Sequence, residues 1–192
     1  MRPIEELINA SDHLHYEIWM LRISSYELQK HAEKIAKHGK HEFIAYTCTS
    51  HVTVSTYSSD APISPPSKEE AENAHINSQL ESFTIHLRSL LDFFYKDPKF
   101  AHKHDVLAVH FFNDPSEWLR VRPTMSEGEL KSIKDRIGTE IAHLSYKRIL
   151  ISDSDKLWPF LELKSYVLDA LKQFLLIVEP QLLSAHWESQ SP

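Results

Sequence analysis

The sequence predicts an all-α protein, an up-and-down bundle of about four principal helices, and three observations support this class. Residues 67–95 open with a capping box, in which Ser67 and Glu70 satisfy each other's backbone N–H groups. Apolar residues recur at helical spacing in four long segments. Only 3 of the 192 residues are glycine, so few positions weaken a helix. A chain of this length can bury its own core, so we expect one domain over residues 1–192.

Residues 67–95 form the predicted central helix. Two apolar residues, Ile85 and Phe93, lie off its main stripe, so several neighbouring elements should contact this helix. The stripe itself consists of Ile76, Leu80, Phe83, Leu87, Leu90, Leu91 and Phe94.

A first helix is predicted from Pro3 to a C′ residue at Gly39, with apolar residues on alternating three- and four-residue steps. Trp19 and Tyr26 lie on a second stripe of this helix, which could cover another element or a partner subunit. Between the first two helices, residues 41–66 alternate apolar and polar side chains before a Ser/Pro-rich stretch. This pattern favours a short β-like or irregular insertion.

Two further helices are predicted in the second half of the chain. The third principal helix begins at a second capping box, Ser126 with Glu129, and continues to Arg148. A short helical segment that begins at Pro115 precedes it. The last helix begins near residues 156–159 and ends at Pro180.

Composition narrows the functional classes. A net charge of −6 argues against a general nucleic-acid binder, although residues 118–149 carry seven Lys/Arg against four Asp/Glu. The ordinary interpretation of that segment is a solvated helix surface. A mean hydropathy of −0.37 and the lack of a long apolar run predict no transmembrane span and no membrane partner. A single cysteine, Cys48, and the absence of a recognisable signal peptide indicate a cytoplasmic location.

One constellation could carry chemistry. At about 100° per residue, Arg136, Glu140, His143 and Lys147 share a flank of the third helix, beside the core position Ile137. Arg136 and His143 are two turns apart, about 10 Å along the axis. An imidazole there could move a proton at a 2′-hydroxyl or a leaving oxygen, and the guanidinium could stabilise charge on a phosphate. The structural alternative is an ion pair between Arg136 and Glu140.

The order of these features resembles the HEPN superfamily, named for higher eukaryote and prokaryote nucleotide-binding. The resemblance covers about residues 69–178 and rests on three parts: the central helix LESFTIHLRSLLDFFY, the apolar block DVLAVHFF, and a later helix with an Arg, six residues and a His. It implies a small helical bundle that often dimerises. In active members it implies metal-independent RNA cleavage, with Arg and His from two subunits in one cleft. Many members are toxins or defence proteins, and others have lost catalysis.

Carried onto this chain, the resemblance makes Arg136 and His143 the catalytic pair. The supporting residues are Asp135, Glu140, Tyr146 and Lys147. It also implies a homodimer that acts on RNA or a nucleotide, and it implies no cofactor or metal. The chain departs from the family pattern at Ile137, where active members usually have a polar residue, and at Tyr146, which follows the His by three residues instead of two.

Two other functions fit the sequence. The first is a non-catalytic interaction bundle, which would bind a protein partner through the same groove or through the face that carries Trp19 and Tyr26. The second is a di-iron-like metal site, because Glu-x-x-His steps occur twice on the predicted helices. Its ligand set would be Glu72, His75, Glu140 and His143, with Glu27 or Glu33 and Glu162.

Two smaller features of the helices are also predicted. Arg88 and Asp92 are spaced to form an ion pair on the central helix. Gly138 is in mid-helix, where glycine costs about 1 kcal/mol relative to alanine, so we expect a close approach of another helix at that position, with the central helix as the candidate.

Overall fold

The computed structural model describes residues 2–37, 65–142, 146, 150 and 157–190. The described chain contains five α-helices and no β-strand, so the predicted all-α class is confirmed. The helices are α1 (Ile4–Lys37), α2 (Lys68–Tyr95), α3 (Pro115–Val121), α4 (Glu127–Arg136) and α5 (Phe160–Ile177). None of the helices in these ranges is both long and apolar enough to cross a membrane.

The two longest helices, α1 and α2, pack side by side and run antiparallel. Lys34 near the end of α1 pairs with Glu72 near the start of α2. Toward the middle of both helices, Glu17 Oε2 and His86 Nδ1 lie 2.8 Å apart, at hydrogen-bond distance. Because the residue numbers of the contacting pairs change in opposite directions, the helix axes point in opposite directions.

Helix α5 runs parallel to α2 and encloses an aromatic core with it. Phe160 contacts Phe83, with ring centroids 6.3 Å apart, and Phe174 contacts Phe94 at 6.2 Å. Phe174 is fully buried and lies at the centre of this core. Its ring also contacts four further aromatic rings, those of Phe93, Phe111, Phe112 and Trp118.

Helix α4 packs on another side of α2, in the opposite direction. Lys134 pairs with Asp92, and one turn later Gly138 lies beside Arg88. Successive principal helices α1, α2, α4 and α5 therefore alternate in direction along the chain.

The predicted core of the central helix lies inside the protein. All seven residues of its main stripe are buried, and Phe93 is buried as well, whereas Ile85 is half exposed. The capping box that starts α2 is present: Ser67 Oγ accepts the Glu70 N–H at 3.2 Å, and the Glu70 carboxylate accepts the Ser67 N–H at 2.7 Å. The second capping box, at Ser126 and Glu129, is present as well.

Three predicted boundaries differ or cannot be compared. The third helix is interrupted as an α-helix after Arg136, because residues 137–142 form a π-helical turn, and Tyr146 is again α-helical. The last helix begins at Phe160, directly after the predicted start near residues 156–159. Gly39 and most of the 41–66 insertion lie outside the described residues, and residues 65–66 are neither helix nor strand.

The end of the described chain folds back onto α1. Two 3₁₀ helices, Pro180–Leu182 and Ala185–Gln190, follow α5. The Ser184 N–H donates to Ser11 Oγ at 2.8 Å, and the Trp187 indole N–H donates to the Ser11 carbonyl at 3.1 Å. Ser11 is fully buried, so these hydrogen bonds close the bundle between its first and last elements.

Candidate functional site

The candidate site is at the junction where α4 ends and the π-helical turn begins. Arg136 is the last residue of α4, and Ile137–Ala142 form the turn. Ile137 is 1% exposed and points into the core, as its place at the centre of the inward face predicts. The buried Ile137 side chain fixes the position of the backbone next to Arg136.

The Arg136 side chain is held on two sides. Its Nε donates to both carboxylate oxygens of Glu140, at 2.9 and 3.0 Å, so the predicted ion pair is present. Its guanidinium carbon lies 4.1 Å from the ring centroid of Trp158, which is a cation–π contact. The side chains of Arg136 and Glu140 are only 26% and 15% exposed. The cation is therefore oriented and partly withdrawn from water.

The π-helical turn changes the spacing on which the predicted catalytic pair depends. A π-helix bonds residue i to i+5, and single π turns inside α-helices are frequent at functional sites. A separation of two α-helical turns between Arg136 and His143 assumes α-helical geometry throughout, which residues 137–142 do not have. His143 itself lies outside the described residues.

The predicted supporting residues are distributed unevenly. Glu140 contacts Arg136, whereas Asp135 is on the exposed side of α4. Tyr146 is 89% exposed, and Lys147 lies outside the described residues. Of this set, the structure brings only Glu140 to Arg136 among the residues it describes.

Much of the positive charge in residues 118–149 has a structural role. Arg122 donates to the Phe94 and Tyr95 carbonyls at 3.5 and 3.4 Å, where it complements the C-terminal end of α2. Lys134 pairs with Asp92, and Arg136 pairs with Glu140. Arg120 and Lys131 remain as exposed cations of the described part of this segment.

The neighbouring face of α2 corrects two smaller expectations. Asp92 is paired with Lys134 on α4, so the ion pair crosses between helices instead of joining Asp92 to Arg88 on one helix. Gly138 does face the central helix, as predicted. However, a Cβ at this position would lie 3.8 Å from Arg88 Nη1, which is ordinary van der Waals contact. The approach is therefore not close enough to require glycine.

The described residues do not support the metal alternative. No group of three or more His, Cys, Asp or Glu residues within the described ranges could hold a metal ion. Glu72 is paired with Lys34, and Glu140 is paired with Arg136. Because Gly138 lies beside Arg88, Glu140 is roughly 20 Å along α2 from Glu72, at 1.5 Å per residue. The two Glu-x-x-His steps therefore do not begin at the same end of the bundle.

A small cavity near the start of α1 contains a histidine that sequence reasoning did not single out. The cavity, of about 100 Å³, is lined in part by Arg2 and His110. His110 Nδ1 accepts the Leu107 N–H at 3.2 Å, which requires a neutral ring with its proton on Nε2. Burial lowers the pKa of His110, and the nearby Arg2 guanidinium lowers it further. Arg2 itself donates to the Lys103 carbonyl at 2.9 Å, so these contacts tie the start of α1 to the loop before α3.

Searches against protein-family models, curated proteins and solved structures find no match for this chain. The fold and the site therefore define an all-α protein in which Glu140 holds Arg136 at the junction between α4 and the π-helical turn.

Proposed function

We propose that this chain is a HEPN-like protein that binds RNA and cleaves it without a metal ion, through Arg136 and His143, as a homodimer in a defence or toxin-type system. The observation that supports this proposal is the fixed guanidinium of Arg136, held by Glu140 and by the face of Trp158. It stands directly before a π-helical turn that leads toward position 143. A cation with a set orientation stabilises developing charge without reorganising during the reaction.

In the proposed reaction, the His143 imidazole accepts the proton of a ribose 2′-hydroxyl, and the 2′-oxygen attacks the adjacent phosphorus. The bond from phosphorus to the 5′-oxygen breaks, and an imidazolium returns a proton to that oxygen. The products are a 2′,3′-cyclic phosphate and a free 5′-hydroxyl. Arg136 stabilises the negative charge on the pentacoordinate phosphate.

The experiment is cleavage of a panel of single-stranded RNAs by the purified chain in the presence of a chelator. We expect wild type to cut and His143→Ala to lose cleavage with an unchanged melting temperature. His104→Ala is the matched control, because His104 is exposed and is remote in sequence from the site. RNA that stays intact with wild type, with or without divalent ions, would overturn the proposal.

The second candidate function is a non-catalytic interaction bundle, and the same contacts of Arg136 favour it. A guanidinium that is bonded to Glu140 and packed on Trp158 can also act purely as a structural link that stabilises the fold. In that case wild type leaves RNA intact, and the effect of Arg136→Ala is limited to a lower melting temperature. If the chain is the nuclease, Arg136→Lys should lose far more activity than stability, because lysine cannot present a planar, oriented guanidinium.

A further inference from the structure

The outward side of α1 carries an unusual row of large apolar side chains. We name the residues Tyr16, Trp19, Ile23 and Tyr26 the outer stripe. They are 50%, 49%, 41% and 59% exposed, respectively. At about 100° per residue, the outer stripe lies opposite the α1 residues that enter the core, among them Ile18 and Leu21. Trp19, Ile23 and Tyr26 are therefore directed away from the bundle to which α1 belongs, whereas the half-exposed Tyr16 ring also makes an edge contact with His86 on α2, with ring centroids 5.8 Å apart.

Two contacts involve the aromatic rings of the outer stripe, one at each of its ends. The rings of Tyr16 and Trp19 are 6.4 Å apart, and the Lys30 ammonium lies 5.3 Å from the ring centroid of Tyr26. Isolated exposed apolar residues are normal, but a contiguous row with aromatic members indicates a binding surface.

The spacing of the outer stripe is that of a coiled-coil seam. Its members are separated by three, four and three residues, so they occupy successive a and d positions of a heptad that begins at Tyr16. Side chains at these positions pack as knobs into holes when a second helix with the same spacing lies alongside. Lys30 takes the next a position, where the apolar seam ends.

The charges beside the outer stripe select its partner. In a parallel pair of helices, the g residue of one heptad meets the e residue of the partner's next heptad, five positions later. Arg22 is the g residue and Glu27 is that e residue. Arg22 is exposed, and the Glu27 side chain is 33% exposed beside Lys30. Two copies of α1 would therefore form this pair of opposite charges twice, once on each side of the seam.

We propose that the outer stripe is the seam through which two copies of this chain pair, with their α1 helices parallel. The proposal does not depend on Arg136 or His143. The apolar seam extends over only two heptads, so the dimer should be reversible and its population should follow protein concentration.

The first test is sedimentation equilibrium over about two decades of protein concentration. We expect a monomer–dimer equilibrium for wild type and a monomer for Trp19→Lys, with an unchanged monomer fold by circular dichroism. Leu161→Lys is the matched control, because Leu161 on α5 is 48% exposed, and it should leave dimerisation intact. A wild type that is monomeric throughout, or a dimer that survives Trp19→Lys, would overturn the seam.

The second test addresses the direction and register of the helices. In a Cys48→Ser background, Ile23→Cys should form an intermolecular disulfide, because an a position faces its own copy only in a parallel pair. Arg22→Glu should weaken the dimer, and adding Glu27→Arg should restore it. A dimer that forms no such disulfide, or that is not rescued by the double charge exchange, would overturn the parallel arrangement.

Discussion

Gly138 offers a test of the packing between α2 and α4 at the scale of one residue. Replacing it with alanine should raise the free energy of unfolding by about 0.5–1 kcal/mol, because alanine restricts the unfolded chain and favours helix. The added Cβ would meet Arg88 Nη1 at an ordinary contact distance of 3.8 Å. Urea denaturation of wild type and Gly138→Ala would measure the difference.

A matched control is Gly128→Ala in the first turn of α4, where nothing lies within 4 Å of the added Cβ. Both variants should be stabilised to a similar extent if the space beside Gly138 is as open as its distances indicate. A destabilised Gly138→Ala next to a stabilised Gly128→Ala would mean that the π-helical turn itself needs glycine.

His110 provides a pH-dependent test at the same scale. Its pKa lies below the ordinary value of 6.5 because burial and the Arg2 guanidinium disfavour the charged ring. As the pH falls below about 6.5, the unfolded chain therefore binds a proton that the folded ring resists, and stability is lost through this window. Above it, both states hold a neutral ring.

The measurement is the free energy of unfolding of wild type minus that of His110→Gln, from neutral pH downward. Glutamine does not titrate, so this difference should be constant above about pH 6.5 and should decrease as the pH falls further. A difference that stays flat, or one that grows toward acid pH, would contradict the assignment of a neutral, hydrogen-bonded His110.

At the scale of whole elements, α3 completes the C-terminal end of α2. The Trp118 indole N–H donates to the Phe94 carbonyl at 3.0 Å, and both groups are buried. Trp118→Phe should cost about 0.5–1.5 kcal/mol, the net contribution of one hydrogen bond, because the Phe94 carbonyl keeps only its longer contact with Arg122 at 3.5 Å. Thermal unfolding would measure this cost, with Arg120→Ala as an exposed control on the same helix. A stability change no larger than that of the control would show that α2 does not depend on this bond.

Elements with local signals were predictable from the sequence. The capping boxes at Ser67 and Ser126 mark where α2 and α4 begin, and Pro115 marks the start of α3. A capping box joins residues three apart in the chain, and Pro115 acts at its own position. These signals are therefore fully contained in the local sequence. The same is true of the Arg136–Glu140 pair, whose partners are one helical turn apart.

Features that depend on distant contacts were not predictable in this way. The π-helical turn after Arg136 has no local pattern that distinguishes it from an α-helix. The turn packs against α2, and Arg136 directly before it packs on Trp158. The pairing of Asp92 with Lys134 joins residues 42 apart, although the sequence equally allows a partner at Arg88. The local pair with Glu140 could be predicted, whereas the Trp158 contact that completes the orientation of Arg136 depends on the fold.

At the scale of the whole molecule, the bundle is closed by its C-terminal segment, and Ser11 is the residue on which that closure converges. Its hydroxyl donates to the Ile8 carbonyl at 2.7 Å and accepts the Ser184 N–H, which is 173 residues away, at 2.8 Å. Trp187 is 8% exposed and donates to the carbonyl of the same residue. Loss of the Ser11 hydroxyl should therefore loosen the attachment of the last segment to the first helix.

Ser11→Ala should cost about 1–3 kcal/mol, because the buried Ser184 N–H loses its acceptor. Ser25→Ala is a closely matched control. Ser25 is also fully buried on α1 and donates to the carbonyl three residues earlier, that of Arg22, at 2.9 Å. The two variants lose the same kind of local bond, so the excess cost of Ser11→Ala measures the long-range closure. Hydrogen exchange should show faster exchange of the Ser184 amide in Ser11→Ala and unchanged exchange in Ser25→Ala. Equal costs and equal protection in the two variants would mean that the C-terminal segment is held by its apolar contacts alone.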